Sequence, residues 1–180
     1  MKVYTRKGDD GSTDLLYGGR VKKNDPRPEV YGDVDETQAA IGLARAAAGD
    51  ELSAVLIGVQ RDLWLAMAEL ACNPEKLDQL DKSSGRLSDE MVRQLEDLID
   101  DFSERFEPPK DFVVPGEEEV AARLDLARTI CRRAERSSVG LKLEDSFVVP
   151  YLNRLSDLLW SLARWQEGKS LVTKSVSKSK

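Results

Sequence analysis

Leu52, Leu56, Val59, Leu63, Ala66 and Leu70 recur at alternating intervals of four and three, and that spacing constrains the chain more than any other feature. On a helix it gathers the side chains into one narrow stripe; on a strand it scatters them over both faces. A stripe of that width needs other helices to cover it, and the sequence supplies them. Val34, Thr37, Ile41, Ala44 and Ala48 mark an earlier helix that starts near Val30 and stops at Gly49. Leu87 to Arg105 reads as a third, with Asp89 and Glu90 suited to its start. Glutamates from Glu117 open a fourth, whose inward face is Val120, Leu124, Ala127, Cys131, Ala134 and Ser138. Leu152, Leu155, Leu159 and Leu162 line a fifth. Between these runs, Pro26 and Pro28 are expected to keep the chain extended, and "NPEKLDQLDKSSGR" reads as a polar connection. "FEPPKDFVVPG" breaks the helical pattern with three prolines. The expected fold is all-α, a five-helix up-and-down bundle without strands. One domain covers residues 1–166, residues 1–29 form an irregular N-terminal loop, and the Ser/Lys-rich residues 167–180 are expected to be disordered.

The charge balance narrows the function. A net charge of −6 and a pI near 4.9 argue against nucleic acid or an anionic membrane as a partner. No apolar run reaches the roughly 18 residues of a membrane span, and the N-terminus lacks the pattern of a cleavable signal. Cys72 and Cys131 sit far apart in apolar helical runs, which suits two core thiols in a reducing cytoplasm better than a disulfide. There is no histidine, so histidine-based triads and most zinc sites are excluded.

Four stretches carry polar chemistry. "YTRKGDDGSTDLLYGG" places Gly8 and Gly11 among Thr5, Arg6, Lys7, Ser12, Thr13 and Asp14, with Lys23 following. Such a loop can converge amides, hydroxyls and cations on a polyphosphate, with Asp9, Asp10 or Asp14 near a magnesium ion or orienting the cations. It matches neither a Walker loop nor an EF-hand, and by itself a turn on Asp10-Gly11 is the simpler reading. "ARTICRRAERSSVG" stacks Arg128, Arg132 and Arg136 at helical intervals of four, beside Arg133 and Glu135. Like charges one turn apart repel. The stack therefore is either a solvated face offset by acids or a phosphate clamp. In "YLNRLSDLLWSLAR", Asn153 and Asp157 share a face next to leucines, so Asn153 either specifies helix register or reads a ligand edge. Asp35 and Glu36 are ordinary acids of an early helical turn unless an arginine stands opposite.

Together, "YTRKGDDGST", "YGDVDE", "DLARTICRRAER" and "YLNRLSDLLWSLAR" resemble, in order and spacing, the PduO-type ATP:cob(I)alamin adenosyltransferases, from about Val3 to Arg164. The resemblance implies a helical-bundle homotrimer that binds MgATP between subunits and takes cobalamin as its second substrate. The N-terminal loop would hold the triphosphate through Thr5, Arg6, Lys7, Gly8, Thr13 and Asp14, helped by Lys23. Arg132, Arg133, Glu135, Arg136 and Asn153 would complete the nucleotide site. Asp35 and Arg128 would pair across the subunit interface, and Phe112 would lie under the corrin in place of its lower ligand. Arg132, Asn153 and Phe112 would form the catalytic core, with the magnesium held by ATP phosphates and by no protein residue.

The implied reaction moves the 5′-deoxyadenosyl group of ATP to cobalt and releases triphosphate. Cob(I)alamin is itself a strong nucleophile, so a chain without histidine suffices if it positions the reactants and neutralises the leaving group. A reductase and an adenosylcobalamin-dependent enzyme are expected as further partners. The sequence departs from the family pattern at Thr37-Gln38, at Glu117 after the Pro-Gly, and in "DLLYGG". An ATP- and cobalamin-binding sensor without turnover stays the alternative, and a bare interaction module would show no response to MgATP.

Overall fold

The computed structural model describes residues 3–176. It contains α1 (Pro26–Arg45), α2 (Asp50–Ala71), α3 (Leu77–Ser83), α4 (Asp89–Ser103), α5 (Glu119–Val139) and α6 (Val148–Glu167). The five long helices are those the apolar spacing predicts, and they pack side by side in the order α2–α1–α5–α6–α4. The predicted stripe of α2 is its buried face, from Leu52 to Leu70.

The α5–α6 seam is the centre of the core. Ala121, Ala127, Cys131, Ala134 and Ser138 of α5 are small and buried, which lets the backbone of α6 come close. Leu152, Leu155, Leu159 and Leu162 fill the space between. The Cys131 thiol donates to the carbonyl of Leu152 at 3.3 Å, and burial pushes its pKa up, as expected of an inert core thiol.

Local chemistry moves several boundaries. Pro26 and Pro28 do not hold the chain extended: Pro26 is the first residue of α1, where a missing N–H costs nothing. Asp25 caps that helix by accepting from the amide of Arg27. Gly49 is the N-cap of α2 rather than the stop of α1, which ends at Arg45. Ser88 caps α4 by accepting from the amide of Met91. The connection expected to be irregular carries the short helix α3, with Leu80 buried beneath it.

Two strands also form, β1 (Ser12–Asp14) and β2 (Arg20–Lys22), paired antiparallel with Thr13 opposite Val21. Three residues each are too few for alternation to register. The tail expected to be disordered from residue 167 runs back along the loop after α4 as far as Val176. There Val172 bridges Val113 and a 3₁₀ turn spans Thr173–Ser175. The last residues, 177–180, lie outside the described part.

Candidate functional site: a glycine-rich loop and an arginine helix

The N-terminal loop is organised around Arg20, which sequence reading passed over. Its guanidinium donates to Asp14 at 2.8 Å, to Asp10 at 3.1 Å, to the Ser12 hydroxyl at 2.5 Å and to the carbonyl of Lys7. Ser12, through its hydroxyl and then its amide, holds the Asp10 pKa down to about 2, with Arg20 adding to the effect. Asp10 and Asp14 are thus engaged in orienting a cation. Gly11 takes a φ of 81°, which lets Lys23 return its amide to the Gly11 carbonyl at 2.9 Å. At Gly8 a Cβ would sit 3.1 Å from the Lys23 ammonium and 3.2 Å from the Ser12 carbonyl, so a side chain there would push Lys23 back by a few tenths of an ångström. Thr5 accepts weakly from the Lys7 amide at 3.4 Å, and Thr13 sits within β1. The base of the loop is fastened to the end of α2. The Leu16 amide donates to Ala71 at 2.8 Å, and the Asn73 amide and side chain donate to Leu16 and Gly18.

On α5, adjacent arginines have opposite fates. Arg133 donates to Asp33 at 3.1 Å and to Glu36 of α1, and Ser137 donates to the same Asp33 at 2.8 Å. This supplies the arginine that Glu36 lacked on paper, although Arg133 was assigned to the nucleotide. Arg128 gives its Nε to Asp125 at 3.0 Å, and Asp125 also accepts from the buried Arg164 at 2.6 Å. Asp35 is exposed on α1 and makes no ion pair among the described residues. Arg132 and Arg136 are exposed and also carry no carboxylate partner among the described residues, nor do Arg6, Lys7 and Lys23 of the loop. The arginine stack is therefore split: one side ties α5 to the bundle and the other presents uncompensated charge.

Asn153 sits one turn into α6 and is satisfied at both ends of its amide. Its Nδ2 donates to Glu135 at 3.0 Å, and its Oδ1 accepts from Arg154 at 2.8 Å. Arg154 in turn donates to Glu96 of α4 at 2.7 Å. Behind it, the fully buried Tyr151 donates to Asp62 of α2 at 2.9 Å.

Phe112 lies at the far end of α6, with its ring 90% exposed. Its position comes from the backbone: its carbonyl accepts from the Thr173 amide at 2.8 Å and hydroxyl at 2.9 Å, and Val114 donates to Leu171 at 2.8 Å. Phe112 and Trp160 line one groove of about 390 Å³. Trp160 also lines a second groove, of about 560 Å³, between α4 and α6 with Arg154 and Asp157. No hydrogen bond or ion pair among the described residues joins the N-terminal loop to α5. Nor, among the described residues, do three or more Asp, Glu or Cys converge as a metal site.

Thr37 and Gln38 have defined packing roles. Thr37 is buried and donates to the carbonyl of Asp33, while Gln38 and Gln60 exchange side-chain hydrogen bonds with each other's carbonyls between α1 and α2.

Comparison with known proteins adds an independent line. Residues 3–166 match the family model described as cobalamin adenosyltransferase. The chain is 41% identical over 185 residues to the corrinoid adenosyltransferase PduO of Salmonella typhimurium, covering 99% of this chain and 54% of that protein. It thus spans about half the length of that relative and of the Citrobacter freundii PduO protein, at 50%. It covers 89% of the Bacillus subtilis corrinoid adenosyltransferase, at 38% identity over 94% of this chain. A variant PduO-type ATP:corrinoid adenosyltransferase from Lactobacillus reuteri, solved with cobalamin and ATP, superposes with a TM-score of 0.86 at 29% identity, over 97% of each chain. Another variant from the same organism, solved with ATP, gives 0.80 at 32% identity, over 91% of this chain and 93% of that one.

Proposed function

This chain belongs to the cobalamin adenosyltransferase family, and from that premise we propose that it transfers the 5′-deoxyadenosyl group of ATP to cob(I)alamin. The observation that carries the proposal is the split arginine face of α5. Arg132 and Arg136 lack carboxylate partners among the described residues, although acids have been recruited to their neighbours Arg128 and Arg133. Cations left uncompensated beside an oriented asparagine suit a bound polyanion.

In this reading Thr5, Arg6, Lys7, Gly8, Thr13, Asp14 and Lys23 wrap the triphosphate of MgATP. Arg132, Glu135, Arg136 and Asn153 take the nucleotide from α5 and α6, and Arg133 joins them only by leaving Asp33 and Glu36. The Arg20 cross-links shape the loop, and its remaining cations face the phosphates. The cobalt(I) electron pair attacks the 5′ carbon and becomes the carbon–cobalt bond, while the bond from that carbon to the triphosphate oxygen breaks and its electrons leave on the triphosphate. Arg132 and Arg136 stabilise the developing charge where it forms. Phe112 sits below the corrin and occupies the place of the lower ligand, and Trp160 extends the apolar wall.

No hydrogen bond or ion pair among the described residues joins the loop to α5, so we place the complete site between subunits of a homotrimer. Asp35 and the free terminal nitrogens of Arg128 are suited to pair there, and Leu43 and Leu126, both half exposed, lie on the same two helices. The two buried free thiols fit a cytoplasmic enzyme. A reductase supplies the reduced cobalamin, and an adenosylcobalamin-dependent enzyme receives the product.

The test is anaerobic. Chemically reduced cobalamin and MgATP are mixed with the protein, and formation of a light-sensitive alkylcobalamin is followed in the visible spectrum. Arg132→Ala is expected to lower kcat/KM by about 100-fold or more. If both ligands bind and no carbon–cobalt bond forms, the protein is a sensor or delivery protein instead.

A further inference from the structure

We propose that Glu96 of α4 is a positioning residue for the nucleotide site, acting through Arg154 to fix the amide of Asn153. The inference rests on the adenosyltransferase reading of that site and adds a helix to it that contributes none of the expected site residues.

Asn153 can present either end of its amide, and a half-turn about its last side-chain bond exchanges donor for acceptor. Here both ends are assigned. Arg154 donates to Oδ1 at 2.8 Å, so Oδ1 accepts, and Nδ2 is left to donate to Glu135 at 3.0 Å. That assignment depends on where the Arg154 guanidinium is held. Glu96 takes its Nε at 2.7 Å, which leaves Nη1 aimed at Asn153. A competing acid is close by: Asp157, one turn along α6, stands 3.8 Å from the same Nη1. Without Glu96 the guanidinium swings to Asp157, Nη1 leaves Asn153, and the amide is free to flip. The second N–H of Asn153, the one available to a nucleotide, then loses its fixed direction. Glu96 and Arg154 also line the groove between α4 and α6, so a substrate seated there touches the pair that orients Asn153.

Glu96 and Arg154 are both more than two-fifths exposed. A pair of that kind adds little to stability, so a purely structural role predicts no kinetic consequence. Glu96→Gln keeps the shape and removes the charge. In the full chain, the dissociation constant and KM for MgATP are expected to rise about five- to ten-fold, with kcat changing less than about two-fold and the melting midpoint unmoved. In an Asn153→Ala background, Glu96→Gln is expected to add nothing to the loss of MgATP affinity, because its effect runs through that amide. Arg154→Lys, which cannot serve Glu96 and Asn153 with two fixed nitrogens, is expected to reproduce the Glu96→Gln pattern. Wild-type binding of MgATP with unchanged affinity in Glu96→Gln would overturn the inference, as would additive losses in the Asn153→Ala background. If the wild type binds no MgATP, the adenosyltransferase reading fails first.

Discussion

The N-terminal loop and the α5–α6 seam solve the same electrostatic problem in opposite surroundings. In the loop, the Arg20 side chain is 37% exposed and that of Asp10 63%. In the seam, Arg164 is 2% exposed and Asp125 is 4%. Water screens the first cluster and is excluded from the second, so charges at similar separations carry different weight. The loop can exchange its partners for water, whereas the seam cannot rearrange without disturbing buried charges. If the proposed site spans both regions, it has a yielding wall and a rigid one.

The largest test of this contrast is Asp125→Ala. It removes one of the two carboxylates on the buried Arg164, leaving Glu167 at 3.1 Å, and frees Arg128, so stability measured by urea unfolding is expected to fall by about 1.5–3 kcal/mol. A loss below about 1 kcal/mol would mean that the seam is no more rigid than the loop. Tyr151→Phe comes next, since it removes one buried hydrogen bond and leaves Asp62 without its donor. Burial already raises the Asp62 pKa. The expected loss is about 1–2 kcal/mol by the same method.

The smallest effect belongs to the loop. Asp10 is held at about 2, below its ordinary 3.8, chiefly by Ser12. A lowered carboxylate pKa contributes stability that is full above the unfolded value and is lost as pH falls through the folded one. The Asp10 contribution to the loop is therefore expected to fade as pH falls from about 4 to about 2. Ser12→Ala is expected to move the Asp10 titration, read by carboxylate NMR, up toward its ordinary value without shifting the unfolding midpoint. Glu69 sharpens the comparison with the opposite sign. Burial raises its pKa, so its contribution to stability declines as pH rises from the unfolded value to the folded one.

Most of the helical frame was legible because apolar residues at intervals of three and four have one solution, and Leu52 to Leu70 is that solution. The arginine helix and the "NRLSD" helix were legible as motifs, but the division of labour within them was not. Arg132 and Arg133 are adjacent and chemically identical, and one is exposed while the other is bound to Asp33 and Glu36. Nothing in their spacing distinguishes them; the position of α1 does. Arg20 escaped notice because it stands outside the dense stretch, and β1 with β2 brings it back onto Asp10 and Asp14. The pairing of residues 171–173 with the Phe112 loop was illegible for a related reason: backbone hydrogen bonds leave no trace in side-chain composition.

The sequence by itself determined an all-α bundle, the loop's glycine geometry and the residue types available for phosphate, because periodicity, backbone freedom and side-chain charge are local properties. Only the tertiary structure decided which cations are neutralised within the chain and which stay unpaired among the described residues. It also aligned Glu96, Arg154, Asn153 and Glu135 across three helices. Those pairings join residues up to 58 positions apart, and the packing of the helices, not their individual patterns, sets the distances between them.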